Sequence, residues 1–158
     1  MTLLVTFLGT SAARPTVERN VSALTLQRGG ETLLFECGEG TQRQMMRYGV
    51  GFTVSEIFFT HFHADHFLGV IGLVRTLALQ GRAEPMRLYG PKGAKKLLTA
   101  ALSLGVERVP FEVEIVEVKS GEVVKDGGGY EVHAFATEHG GGSVGYALRE
   151  HERRGRFD

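Results

Sequence analysis

The segment His61-Phe62-His63-Ala64-Asp65-His66 places three histidines and an aspartate within six residues. Imidazole nitrogens and carboxylate oxygens are the ligands that zinc takes besides thiolate. At an extended strand end alternate side chains share a side, so positions 61 and 63 face the same way. If the chain then turns into a helix, Asp65 and His66 curl back over that space. Four short side chains so close in sequence cannot all surround one ion. The spacing therefore predicts two adjacent metal positions, one served by His61 and His63, the other by Asp65 and His66. The competing reading is four idle surface residues, and the location between an apolar strand and an apolar helix speaks against it.

The first position still needs a third protein ligand. The chain has six histidines. His139, in Thr137-Glu138-His139-Gly140-Gly141-Gly142, is the best candidate, because the glycines beside it let the backbone approach closely. A plain loop histidine is the alternative there. His133 falls inside a strand and His151 in the charged stretch His151-Glu152-Arg153-Arg154, and both read as structural. Zinc suits these ligands best, although manganese or iron also occupies His/Asp sites.

These residues need a framework, and the hydrophobic pattern supplies one. Leu3 to Leu8 reads as a strand, ended by Gly9-Thr10-Ser11 and a polar loop to Asn20. Val21 to Gln27 alternates as a half-buried strand does, and Arg28-Gly29-Gly30-Glu31 turns into a strand over Thr32–Glu36. Gln42 to Tyr48 reads as a helix with Thr41 as its N-cap. Glu56–Thr60 is a short apolar strand that ends at His61. Phe67 to Leu79 is apolar on nearly every face, as expected of a helix buried against a sheet. Arg87–Tyr89 reads as a strand and Gly93 to Ser103 as a helix. Strands follow at Phe111–Val118, Glu122–Lys125, Tyr130–Ala136 and Ser143–Leu148. The pattern predicts one α/β (α+β) unit spanning 1–158 with mixed strand pairing.

Composition excludes several classes. Hydrophobic residues at 42% and charged residues at 23% exclude a disordered tail. No run approaches the roughly 18 apolar residues a membrane span needs, and the N-terminus lacks the features of a secretory signal. One cysteine, Cys37, cannot form an internal disulfide, which predicts a reducing, cytoplasmic setting. Lys plus Arg and Asp plus Glu are balanced at 18 each, so net charge alone predicts no nucleic-acid partner.

The motif His61-x-His63-x-Asp65-His66 resembles the signature of the metallo-β-lactamase superfamily. The flanking segments are more specific. Phe7-Leu8-Gly9-Thr10, Arg19-Asn20-Val21-Ser22, Glu36-Cys37-Gly38-Glu39-Gly40-Thr41-Gln42-Arg43-Gln44-Met45, Tyr89-Gly90-Pro91-Lys92-Gly93 and His139…Gly145-Tyr146 resemble, in order, ribonuclease Z, the tRNA 3′-processing endonuclease. The resemblance implies a metallo-β-lactamase-like αββα sandwich with mixed sheets. It implies two zinc ions per complete site, His61, His63 and His139 on the first, Asp65 and His66 on the second, with Asp65 also the catalytic general base. It implies a tRNA precursor as substrate, a homodimer, and products with a 3′-hydroxyl on the tRNA and a 5′-phosphate on the trailer. Glu39 and Thr41, bracketed by glycines, are candidates for binding the substrate phosphate, with a tight turn as the alternative. Glu36 stands where the family shows aspartate, and its longer side chain speaks against an orienting role.

The same resemblance implies that about half of the full fold is present. Family members continue with a tRNA-gripping arm and a second half that supplies a bridging aspartate and a last histidine, and Gly155-Arg156-Phe157-Asp158 stands about where that arm begins. Of the aspartates besides Asp65, Asp126 lies in a glycine turn and Asp158 is the last residue, so neither is a convincing bridge. The second site is thus expected to be incomplete, the isolated chain impaired as an enzyme, and an apolar sheet face left open for a second copy or the missing C-terminal half. Two alternatives stand beside this one. One is another metal-dependent phosphodiesterase of the superfamily, the other a non-catalytic subunit that retains half the site.

Overall fold

The structure, a computed structural model, describes residues 2–106, 108–140 and 142–152. Gly141, Arg153, Arg154 and the stretch 155–158, with the candidate Asp158, lie outside the described residues. A six-stranded sheet runs in the order β1 (Leu3–Gly9), β2 (Ala23–Arg28), β3 (Glu31–Phe35), β4 (Glu56–Phe58), β5 (Met86–Gly90), β6 (Val113–Glu117). Its first three strands are antiparallel, with Val5 opposite Leu26 and Leu26 opposite Leu33. From β3 onward the pairing is parallel, with Phe35 beside Phe58 and Phe58 beside Tyr89. Parallel neighbours need crossovers, and here the crossovers carry α1 (Thr41–Arg47), the single turn α2 (Ala64–Phe67), α3 (Gly69–Leu79) and α4 (Ala94–Leu102). A second, antiparallel sheet holds β7 (Val123–Asp126), β8 (Tyr130–Ala136) and β9 (Val144–Glu150).

The period of two sorts each central strand onto two cores. Leu34, Ile57 and Leu88 face the helices and pack with Leu73, Val74 and Leu77 of α3. Leu33, Phe58 and Tyr89 face the other way and meet Tyr130, Val132 and Ala134 of β8. Phe58 stacks between Phe35 and Tyr89, with ring centroids at 4.9 and 4.6 Å. The layers are therefore helix, sheet, sheet, three of the four in an αββα sandwich. On β1 the inter-sheet face is open: Leu3, Val5 and Phe7 are 39%, 44% and 62% exposed.

Two expectations about helices need correction. The apolar run after His66 is not one helix from Phe67, because Ala64–Phe67 forms its own turn before α3. Within α3 only one stripe is buried, and Leu79 is 90% exposed. Thr41 is not the N-cap of α1. Gly40 takes that place at φ 78, and Thr41 begins the helix.

Candidate metal centre

The site lies where β4 ends. Beyond Phe58 the backbone stays paired by Phe59 N–H to Tyr89 O at 2.8 Å, and then leaves the sheet as Thr60-His61. His63 precedes the single turn α2, which carries Asp65 and His66 back over the strand end. Beneath them runs Cys37-Gly38: Cys37 N–H donates to His66 O at 2.7 Å and Gly69 N–H to Cys37 O at 2.8 Å. Gly38 is required there, since a Cβ would sit 2.4 Å from the carbonyl oxygen of Asp65. The second sheet brings His139. Val144 N–H donates to Thr60 O and Tyr146 Oη–H to Phe59 O, both at 3.0 Å, which docks the β8–β9 loop beside His61.

The imidazoles converge. Ring centroids of His61 lie 4.6 Å from His63, 4.5 Å from His139 and 4.1 Å from His66. One nitrogen from each of His61, His63 and His139 lies within 4.8 Å of the others. A second grouping at the same spacing joins Glu36, His61 and His66. A cavity of about 470 Å³ opens over His61, His63, Asp65, His66 and His139.

Glu36 organises the floor of this cavity, contrary to the expectation drawn from its length. It is 6% exposed and its backbone sits at φ 60, which turns the longer side chain back beneath the strand end. Its Oε1 accepts from Thr60 N–H at 3.1 Å and from the Thr60 hydroxyl, and lies 3.4 Å from His66 Nδ1. The proton count follows from these bonds. A carboxylate cannot donate, so the one hydroxyl proton of Thr60 goes to Glu36, and Thr60 Oγ1 must accept from His61 Nδ1 at 2.9 Å. With Glu36 as a carboxylate this assigns the Nδ1–H tautomer to His61, which leaves Nε2 as a bare lone pair. That atom is buried and has no hydrogen-bond partner. A buried acceptor without a donor is costly, and a cation placed between His61, His63 and His139 would satisfy it.

The electrostatics agree. Burial, reinforced by the imidazoles of His66, His139 and His63, pushes His61 down to about 4, so it is neutral near pH 7 and free to ligate. Burial by itself would raise the Asp65 carboxyl. The amide of Ala13, at 2.7 Å from Oδ2, outweighs this with help from its own backbone and the nearby imidazoles, and Asp65 lies below its ordinary range. The Glu36 carboxylate, 3.4 Å from Nδ1, raises His66 against the opposing effect of burial. Cys37 is fully buried and pushed up to about 12, mainly by desolvation, so it offers no thiolate.

Other candidates lie elsewhere. Thr41 is fully buried and donates to Gly38 O at 2.6 Å, so its hydroxyl has no route to a substrate phosphate. Glu39 sits exposed on the turn, its carbonyl held by Asn20 Nδ2 at 2.8 Å, and does not line the cavity. The tight-turn alternative describes both residues. Asp126 accepts from Gly128 N–H within its own turn. His133 pairs with Glu131 at 2.7 Å on β8, and His151 lies 3.7 Å from the same carboxylate. Sequence reasoning missed Thr60 and Ala13. Thr60 is legible only once Glu36 is known to be buried, and Ala13 acts through its backbone.

A helix layer, two facing sheets and a histidine cluster at the strand ends define a protein of the metallo-β-lactamase fold. Its match to the metallo-β-lactamase fold protein YhfI of Bacillus subtilis, at 16% identity, gives a TM-score of 0.73 over 92% of this chain and 58% of that one. The chain belongs to the family described as Anti-Pycsar protein Apyc1, whose model matches residues 3–152. It is also similar to ribonuclease Z sequences: 60% identical to that of Gemmatimonas aurantiaca, over 100% of this chain and 51% of the relative. Identity to ribonuclease Z of Myxococcus xanthus is 58%, over 99% of this chain and 50% of the relative. Human tRNase Z, short form, superimposes with a TM-score of 0.83 at 34% identity, over 92% of this chain and 64% of that structure. The chain thus spans about half the length of the curated relatives it matches. Among the described residues no helix is long and apolar enough to cross a membrane.

Proposed function

We propose that this chain is the metal-binding N-terminal portion of a zinc-dependent endoribonuclease that removes the 3′ trailer from tRNA precursors. The observation that carries the reading is the buried Nε2 of His61, which has no hydrogen-bond partner, with His63 and His139 in reach, in a chain 60% identical to a ribonuclease Z. His61, His63 and His139 would hold one zinc. Asp65 and His66 would serve a second, whose remaining ligands, like the tRNA-gripping arm, belong to the part of the longer relatives outside this chain. When bound, zinc polarises the phosphodiester and lowers the pKa of water.

The chain's own residues supply the rest. Asp65, held below its ordinary range, is ionised near neutrality and takes the proton of the attacking water at a carboxylate oxygen. Thr60 and Glu36 fix the ring orientations of His61 and His66 from behind. His63 and His139 are exposed, so a polynucleotide backbone has access. The open face at Leu3, Val5 and Phe7 suits cover by the C-terminal half or by a second copy in a homodimer. A buried, unpaired Cys37 fits a cytoplasmic setting.

The test adds the second half of a ribonuclease Z relative in trans to the zinc-loaded chain and offers a tRNA precursor with a 3′ trailer. Cleavage by the pair, and little by the chain alone, is expected. The family description differs from ribonuclease Z, and that difference motivates a second reading, a metal-dependent phosphodiesterase for another ester. A pair that cleaves a small phosphodiester but leaves the precursor intact would favour it. A zinc-loaded pair that cleaves neither would leave a non-catalytic subunit.

A further inference from the structure

Among the described residues, two that are not glycine have positive φ, Glu36 at 60° and Ala13 at 55°. L-residues rarely adopt this conformation, and it persists where the surroundings impose it. Glu36 already belongs to the metal centre. Ala13 sits far away in sequence, in the loop between β1 and β2, and its side chain is a methyl group without chemistry.

That loop is knitted by its own hydrogen bonds. Thr10 N–H and Ser11 N–H both donate to Asn20 O, at 2.9 and 2.8 Å. Ser11 Oγ–H donates to Arg14 O at 2.7 Å, and Thr16 N–H to Arg19 O at 2.8 Å. Asn20 ties the loop's far end to the turn at Glu39. Gly9 lets the loop leave the strand, since a Cβ there would meet Val21 O at 1.8 Å. The loop thereby aims the Ala13 amide at Asp65 Oδ2, 2.7 Å away and 52 residues on. The same Oδ2 lies 3.5 Å from His66 Nε2, so the bond sets how the carboxylate is turned toward the cavity.

We propose that Ala13 is a positioning residue for Asp65, and that the β1–β2 loop is by this bond part of the metal centre. The role of Asp65 toward metal rests on the function proposed above; the bond from Ala13 does not. Residues that tolerate positive φ keep the carboxylate in place, and β-branched residues turn it away.

The test has two readouts on the full chain. In the metal-free, ¹⁵N-labelled protein the Ala13 amide is expected to exchange with solvent at least about tenfold more slowly than an open amide, and Asp65→Ala to abolish that protection. Asp65→Asn, which keeps an acceptor, retains part of it. In cobalt(II) titrations followed by the visible spectrum, Ala13→Val is expected to weaken binding about tenfold, the size of effect seen when an outer partner of a ligand is lost, and Ala13→Gly to leave it unchanged. A freely exchanging Ala13 amide, protection that survives Asp65→Ala, or equal cobalt binding by the Val and Gly variants would overturn the proposal. A chain that takes up no cobalt yet protects Ala13 through Asp65 would sink the metal reading and leave the positioning role standing.

Discussion

Two buried glutamates stand at opposite ends of the paired strands β3 and β4, and the structure treats them differently. At the start of β4, Glu56 is 5% exposed and meets Lys125 Nζ at 2.5 Å and the Tyr89 hydroxyl at 3.0 Å. Lys125 also pairs with Glu31 at 2.8 Å, and Glu31 accepts from the Tyr130 hydroxyl at 2.5 Å. The cation at this end is covalently built in, and the network pins the small sheet to the large one. At the other end Glu36 and Asp65 stand beside a cluster of four imidazoles, and among the described residues neither Lys nor Arg lines the cavity. A buried carboxylate needs a matched positive charge or donors. One end of the strand pair carries a built-in cation; the other meets its carboxylates with hydrogen-bond donors from Thr60 and Ala13 and leaves Nε2 of His61 for an added ion.

The comparison can be broken most forcefully at its closed end. Lys125→Ala should leave Glu31 and Glu56 facing each other and cost about 3 kcal/mol of stability, within the range for one partner removed from a buried pair, without loss of metal binding. Urea denaturation of variant and parent checks this, and the double variant Glu56→Gln/Lys125→Met should recover a large part. At the open end Glu36→Gln should weaken zinc binding about tenfold, because His66 loses its anionic partner, with a smaller effect on the metal-free protein. Competition with a chromogenic chelator measures it.

pH sharpens the contrast. The folded-state pKa of His61 is lowered to about 4, so between its ordinary value of 6.5 and about 4 the unfolded chain binds the proton and the folded chain does not. The stability of the metal-free chain should therefore fall as pH drops through that window, and His61→Gln should flatten the fall. His66 has the opposite sign. Its raised pKa adds stability that is fully present below 6.5 and lost as pH rises through the folded value. Melting curves from pH 4 to 8 on parent, His61→Gln and His66→Gln separate the two. The smallest effect is expected from Thr41→Ala, a loss of about 1 kcal/mol with metal binding unchanged, since its buried hydroxyl serves the turn at Gly38 and the Cys37 thiol.

Much of this was legible in the residues, and the reasons differ by element. The run Tyr130–Ala136 alternates buried and outward side chains, and the strand has those limits. That the side chains of 61–66 gather around one space was legible because they are short and close in sequence. That His139 joins them was legible only through the deficit left by that motif. Pattern failed where the backbone decides. Left-handed Gly40 took the cap from Thr41, and the positive φ at Glu36 gave a longer side chain a place that a count of methylenes denies it. Ala13 contributes an amide, which every residue but proline has, so no sequence signal marks it.

On this reading the histidine end receives its cation from outside. Elemental analysis of the chain purified without added metal, beside His63→Ala, tests it directly. Roughly one transition-metal ion per chain is expected in the parent, with the second position weak, and loss of that ion in the variant. Equal metal content in the two proteins would contradict it.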